Sequence, residues 1–335
     1  MLLGKRDTLA ALSDWTYEPK WDGFRVLASV REGSVRLISR NGHAFTAVFG
    51  VVSDALRRLP GAALFDGEVV AVDDRGRPDF GALQARLRPR DGKLPGHIAY
   101  MLFDCLHVNG YSLLDRPLEE RQAILREVTA ALFPLGDVVQ LTEGFAAADG
   151  ARLMRACERL GLEGVVMKRR GSVYRPGVRS ADWLKVPIRH REEFVIAGFV
   201  PASRGFSTLI LGQYDAYGEL AYAGFCGNGL SADTRAGIMD ALASSPRKNC
   251  PFREIPELRD DFTSRSRDTP PRWVRPVLVV EVEYRQRLEG ALRHAVLKGL
   301  RPDRHPRHIT MEARPGGGPP PPAPRPPPGV LGPPP

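Results

Sequence analysis

A change of pattern near residue 192 constrains this chain more than any other feature. Ahead of it, short alternating apolar runs are interleaved with helical stretches. Beyond it, strand-like runs follow one another closely across Gly-rich turns, with one helical stretch between them. No internal repeat is present, so a solenoid is excluded, and 335 residues have room for two cores of ordinary size. The boundary is expected near residues 187–191, giving domains at 1–188 and 189–312.

In the first part, residues 24–30 and 35–39 read as strands joined at Glu32-Gly33, a hairpin signal. Residues 64–72 read as a strand closed by Asp73-Asp74-Arg75-Gly76, and residues 98–106 are apolar enough to be buried on both faces. A helix is expected over 118–132, with Pro117 in its first turn and Ile124, Leu125, Val128 and Leu132 on one face. A second helix over 149–160 stops at Gly161, and strands follow at 164–168 and 183–186. The second part offers strands at 194–200, 208–214, 219–225 and 277–284 and a helix at 232–243, the pattern of a small barrel of the OB type. The fold class is therefore α+β with mostly antiparallel connections, followed by an OB-fold β-barrel. Residues 313–335 are dominated by Pro and Gly and read as a disordered or polyproline tail.

There are 48 Lys and Arg against 39 Asp and Glu, a formal charge of +9, which suits a polyanionic partner. Between Lys168 and Arg191 the basic residues crowd together, either as a solvated linker or as a seam that tracks a phosphate backbone. The four cysteines, Cys105, Cys157, Cys226 and Cys250, form no C-x-x-C pair, so neither a disulfide framework nor a zinc knuckle is expected. No apolar run of about eighteen residues occurs, so no membrane span is expected, and a reduced intracellular setting fits.

Chemistry is concentrated in Glu18-Pro19-Lys20-Trp21-Asp22-Gly23-Phe24-Arg25. Lys20 precedes a tight Asp-Gly turn and is expected on a loop. A nucleophilic lysine must be deprotonated, which nearby positive charge or desolvation favours. An ordinary lysine beside a hairpin turn would look the same from this segment alone. Further clusters follow in order: Ser39-Arg40-Asn41-Gly42 closing a strand, Phe65-Asp66-Gly67-Glu68 beginning a hairpin, Tyr100-Met101-Leu102-Phe103-Asp104 ending a buried strand, Glu163-Gly164-Val165-Val166-Met167-Lys168 opening another, Asp182-Trp183-Leu184-Lys185, and Arg301-Pro302-Asp303-Arg304.

This ordered set resembles the covalent nucleotidyltransferase superfamily, and within it the ATP-dependent DNA ligases, with greatest similarity to the ligase module of bacterial end-joining ligases of the ligase D and ligase C types. Arg77-Pro78-Asp79-Phe80, Trp273-Val274-Arg275-Pro276 and Leu297-Lys298-Gly299-Leu300-Arg301 extend the resemblance over the whole chain ahead of the tail. It implies an ATP-grasp-like nucleotidyltransferase domain before the barrel. It also implies that Lys20 attacks the α-phosphate of ATP, that AMP passes to a 5′-phosphate, and that a 3′-hydroxyl displaces it to seal the strand.

The same resemblance assigns the remaining residues. Glu163 takes the catalytic Mg²⁺ (or Mn²⁺) position. Glu18 contacts the adenine edge, Arg25 and Glu68 hold the ribose hydroxyls, and Phe103 stacks on the base, although an aromatic in a buried strand is otherwise a core residue. Arg40 grips the nick 5′-phosphate, as a bidentate guanidinium suits. Lys168 and Lys185 neutralise the α-phosphate and Asp22 orients groups around Lys20. Arg301, Asp303 and Arg304 close over ATP and orient pyrophosphate, with the barrel swinging about residues 187–191. Nicked or broken duplex DNA is the implied partner, together with DNA end-binding repair proteins, and a monomer in the bacterial cytoplasm, at DNA, is expected.

Two departures stand out. Arg304 replaces the usual Lys, and Lys185-Val186-Pro187 replaces a Lys-x-Lys pair, which leaves Arg189 as the nearest compensating cation. The competing readings are an RNA ligase or capping guanylyltransferase, which share the lysine chemistry, and a non-catalytic DNA-end-binding module.

Overall fold

The computed structural model describes residues 1–73, 76–87, 96–130, 138–203, 205–229, 231–254, 269–288 and 291–311. The expected tail, Leu132 and the Asp74-Arg75 turn residues lie outside these. The chain divides into two compact units, Met1–His190 and Arg191–Pro335.

The first unit holds two sheets. One contains β3 (Phe24–Arg31), β4 (Ser34–Ser39), β5 (Ala62–Val72), β6 (His97–Val108) and β7 (Tyr111–Ser112) in the order β4-β3-β5-β6-β7, with β8 (Val139–Leu141) parallel to β6. The other runs β1-β10-β9-β2, from β1 (Leu2–Lys5), β10 (Arg179–Pro187), β9 (Gly164–Arg169) and β2 (Trp15–Lys20). Helices α1 (Gly50–Leu56), α2 (Phe80–Leu87), α3 (Leu118–Thr129) and α4 (Gly150–Arg159) complete it.

Local chemistry accounts for several boundaries. The β3–β4 hairpin turns through Glu32 and Gly33, both at positive φ (48° and 78°), the conformation a two-residue hairpin turn requires. Pro117 is the N-cap of α3 rather than a first-turn residue, because its ψ of 146° is still extended. The first sheet buries Val26, Ala28, Phe65, Val69, Tyr100 and Leu102 beneath α1 residues Val52 and Leu56. The second packs Tyr17, Val165, Met167 and Val186 against Leu153 and Cys157 of α4.

Two sequence expectations change here. Phe65-Asp66-Gly67-Glu68 lies inside the 11-residue β5 rather than at the start of a hairpin, since β5 pairs with both β3 and β6 along its length. Lys20 is the last residue of β2 and not a loop residue, because β9 pairs with β2 through to Lys20 opposite Gly164.

In the second unit, β11 (His190–Pro201), β12 (Phe206–Tyr214) and β13 (Leu220–Cys226) form an antiparallel meander, followed by α5 (Ala232–Ala243), β14 (Pro246–Arg247) and β15 (Arg272–Val274). β16 (Val279–Tyr284) pairs with β11 and with β19 (Val296–Leu300), and a short hairpin of β17 (Gln286–Leu288) and β18 (Ala291–Arg293) lies between them. Asn228, just after β13, bridges Val296 of β19 and closes the ring β13-β12-β11-β16-β19. That closure makes an OB-type barrel. Ser231 caps α5 by accepting from the Thr234 N–H, and Ile238 and Leu242 pack into the barrel core.

Candidate active site

The register of the β1-β10-β9-β2 sheet builds the site. Lys20 lies opposite Gly164 and Gly164 opposite Pro187; two residues along, Glu18, Val166 and Lys185 form the next row; Thr16, Lys168 and Trp183 form the one after. Side chains opposite one another share a face, as do residues two apart along a strand. Lys20, Glu18, Lys185, Lys168 and Trp183 therefore share one face, while Tyr17, Met167 and Val186 take the other and meet α4.

At the Lys20 end, Nζ donates to Glu163 Oε2, and both side chains keep a minor exposure, 16% and 17%. Glu163 precedes Gly164, whose φ of 146° is disfavoured for side-chain-bearing residues. A Cβ there would lie 2.3 Å from the Val186 carbonyl oxygen. Glu68, opposite Arg25 in the neighbouring sheet, feels Lys20, Arg25, Asp66 and Glu163. Burial pushes its carboxyl up to about 8, Lys20 and Arg25 opposing and Asp66 and Glu163 reinforcing the shift.

Across the next two rows lies a buried polar pocket. Glu18 and Lys168 are each 2% exposed, with Lys168 Nζ 2.5 Å from Glu18 Oε2. Gln122 of α3 donates to Glu18 Oε1 (2.8 Å) and to the Phe103 carbonyl (3.3 Å). Burial raises the Glu18 pKa, against the pull of Lys168 and Gln122. The Lys168 ammonium also sits 4.3 Å from the ring centroids of both Phe103 and Trp183.

Beside this pocket, Arg25 grips Asp66 with two prongs, Nε–Oδ1 at 3.0 Å and Nη2–Oδ2 at 2.6 Å, and Tyr174 donates to the same carboxylate at 2.8 Å. Burial opposes the Arg25 charge, but Asp66 outweighs it and the pKa is raised. Behind Phe103, Asp104 receives two 2.8 Å bonds from Arg121, and both side chains are fully buried.

The described residues contain no group of three or more His, Cys, Asp or Glu arranged to hold a metal. A Mg²⁺ ion uses one or two carboxylates and completes its shell with phosphate oxygens and water. Glu163, with Glu68 in its field, fits that requirement.

Residues 5–186 match the family model for the ATP-dependent DNA ligase domain, and residues 202–304 match that for the ATP-dependent DNA ligase C-terminal region. The chain belongs to the ATP-dependent DNA ligases. The ligase is 38% identical over 315 residues to the multifunctional non-homologous end joining protein LigD of Pseudomonas aeruginosa, covering 91% of this chain and 36% of that protein. It is 33% identical over 321 residues to DNA ligase C1 of Mycolicibacterium smegmatis, covering 89% and 88% of the two chains. Among solved structures, a mycobacterial DNA ligase D complexed with ATP and MES matches with a TM-score of 0.52 at 31% identity, over 93% of this chain and 97% of that one. The ligase thus spans about a third of the multifunctional LigD relatives and most of the ligase C type.

The expected site residues of the ligase are spread over both sheets and both units. Lys20 and Glu163 meet at one end of the sheet face, Lys185 lies one row along, and Glu18 and Phe103 line the buried pocket. Lys168 is the residue expected at the α-phosphate together with Lys185. It is opposite Thr16, four residues from the Lys20 row, about 13 Å along the strands, and its charge is held by Glu18 and two rings. Arg25, expected on the ribose, is engaged by Asp66. Arg40 is exposed in the turn after β4, and Asp22 lies between β2 and β3. Arg301, Asp303 and Arg304 belong to the second unit. The motif reading gave no role to Asp66, Asp104, Arg121, Gln122, Tyr174 or Trp183. Asp66, Asp104 and Trp183 stood inside quoted clusters; Gln122 and Arg121 carry no local signal.

Proposed function

We propose that this ligase seals 3′-hydroxyl/5′-phosphate breaks in duplex DNA through a lysyl-AMP intermediate on Lys20. The carrying observation is the Lys20–Glu163 contact at the end of β2, one row from Glu18 of the Glu18–Phe103 pocket on the same face. Glu163, which accepts from Lys20 Nζ, fixes the amine and stands ready to take its proton. The amine then attacks the α-phosphorus of ATP: the N–P bond forms, the bond to the bridging oxygen breaks, and pyrophosphate leaves. A DNA 5′-phosphate oxygen next attacks the same phosphorus and frees the Lys20 amine. A 3′-hydroxyl finally attacks the DNA phosphate and expels AMP. Each displacement gathers negative charge, so Lys185 assists by attraction more than by proton transfer. Mg²⁺ held by Glu163, with Glu68 nearby, would neutralise phosphate charge.

Glu18 and Phe103 would receive the adenine, with Lys168 compensating the Glu18 carboxylate; Arg25 would brace the ribose side through Asp66, beside Glu68. Asp22 would order the turn that follows Lys20. Residues 1–188 form the adenylation domain and residues 189–312 the OB domain, from which Arg301, Asp303 and Arg304 act on pyrophosphate. Arg40 holds the nick 5′-phosphate. The LigD relatives, named for non-homologous end joining, support a role in double-strand break repair. Supplying nicked DNA or nicked RNA with ATP or GTP tests the reading. Sealing of nicked DNA with ATP is expected; preference for RNA or GTP would contradict it.

A further inference from the structure

Within the barrel unit, one carboxylate oxygen serves two arginines. Glu193 of β11 accepts from Arg304 Nε (2.9 Å) at Oε1, and the same oxygen forms an ion pair with Arg301 Nη1 (2.6 Å). Arg301 is further clamped by Asp303, Nε–Oδ1 at 2.9 Å and Nη2–Oδ2 at 2.8 Å, and Glu281 lies 3.9 Å from its Nη1. The Asp303 carboxyl is held down to about 2 by its bonds from Arg301. Glu193 is the least exposed carboxylate of the group, 18% against 30% for Glu281 and 59% for Asp303. The Glu193 backbone is fixed as well, because Gln213 Nε2 donates to its carbonyl at 3.0 Å.

We infer that Glu193 is a positioning residue: it tethers Arg304 by Nε so that both terminal nitrogens of the guanidinium face outward as a two-pronged phosphate clamp. A guanidinium has five N–H donors in a fixed plane, and the bond to Glu193 uses only Nε. Among the described residues Nη1 and Nη2 of Arg304 make no hydrogen bond, and the side chain is 53% exposed. A lysine at 304 would behave differently. Its single ammonium would have to serve Glu193 and the phosphate from one nitrogen, with no second prong in a fixed plane. The Glu193 tether and the arginine at 304 therefore work as a unit. This inference rests on the proposed role of Arg301 and Arg304 in lysine adenylation.

The test uses the full chain with four variants, Glu193→Gln, Arg304→Lys, Arg304→Ala and the double variant Glu193→Gln/Arg304→Lys. Single-turnover adenylation with ATP and Mg²⁺ is compared with sealing of a pre-adenylated nick, which bypasses the first step. Glu193→Gln is expected to slow adenylation about tenfold and to leave sealing of the pre-adenylated nick within about twofold. Arg304→Lys should be slow in the native background, and adding Glu193→Gln should not slow it further. Unchanged adenylation in Glu193→Gln, or equal losses in both steps, would overturn the positioning role. If Arg304→Ala also adenylates at the native rate, the assignment of Arg304 to that step fails instead.

Discussion

Lys20 Nζ donates to Glu163 Oε2 across 143 residues of sequence. The contact follows from pairing. β2 and β9 run antiparallel with Lys20 opposite Gly164, so the residue before Gly164 arrives beside the end of β2. A glycine is needed there because the adjacent Val186 and Pro187 backbone leaves no room for a Cβ. The amine and the carboxylate that would manage its proton are brought together by the sheet itself.

Stability should report the ionisation of Glu68. Its carboxyl ordinarily titrates at 4.5 and is raised to about 8 in the fold. The folded state therefore holds the proton more tightly than the unfolded chain. The stability this group contributes is full below 4.5 and is lost as pH rises through about 8. Glu68→Gln removes the dependence, so its Tm advantage over the native protein should widen by about 5 °C between pH 5 and pH 9. Thermal melts across that range check it; a constant difference would contradict it.

Asp104→Ala should be the costly substitution away from Lys20. It leaves the Arg121 guanidinium fully buried without its carboxylate, and breaking such a pair costs about 3–5 kcal/mol. Denaturant unfolding should show the loss. Since Asp104 follows Phe103, ATP binding should weaken with it; a change below about 1 kcal/mol would mean the pair is readily replaced by water.

Arg189 should matter less than the missing motif lysine suggests. Its Nη2 lies 3.3 Å from Asp7, the same carboxylate oxygen that Lys5 approaches at 3.3 Å. Pro187, in turn, is buried opposite Gly164. Arg189→Ala should hold single-turnover adenylation within about twofold, and Lys185→Ala should lower it by about one to two orders of magnitude, as loss of a charge-assisted phosphate contact predicts. The reverse ranking would restore Arg189 as the compensating cation.

Arg40 is exposed, and its backbone N–H donates to the Arg25 carbonyl at 3.2 Å, which anchors the turn while leaving the guanidinium outward. Arg40→Ala should reduce sealing by pre-adenylated enzyme more than it reduces adenylation, and binding to nicked DNA should fall steeply with salt. Equal losses in the two steps would move Arg40 to the nucleotide.

Legibility in the sequence followed the range of the interactions. The Glu32-Gly33 hairpin and α5, capped by Ser231, are local and were readable to within a residue or so. β2 was not, although it carries Lys20, the proposed nucleophile. Pro19 and Asp22-Gly23 hide its pattern, and it is a strand because distant β9 pairs with it. β1, four residues long and joined in parallel to β10, has the same cause. Motif order singled out Lys20, Glu163, Glu18 and Phe103, and the strand register sets where Lys168 lies. Arg121 reads as an ordinary charge on an amphipathic helix; its burial is explained by its meeting with Asp104 and the Arg116 and Ser172 carbonyls.

Incubation with α-labelled ATP and Mg²⁺, read on a denaturing gel, tests the lysyl-AMP mechanism most directly. The native chain should retain label through denaturation, and Lys20→Ala should retain none while melting within a few degrees of the native protein, since the lysine side chain is only partly buried. An adduct at native level in Lys20→Ala, or none in the native chain, would contradict the account.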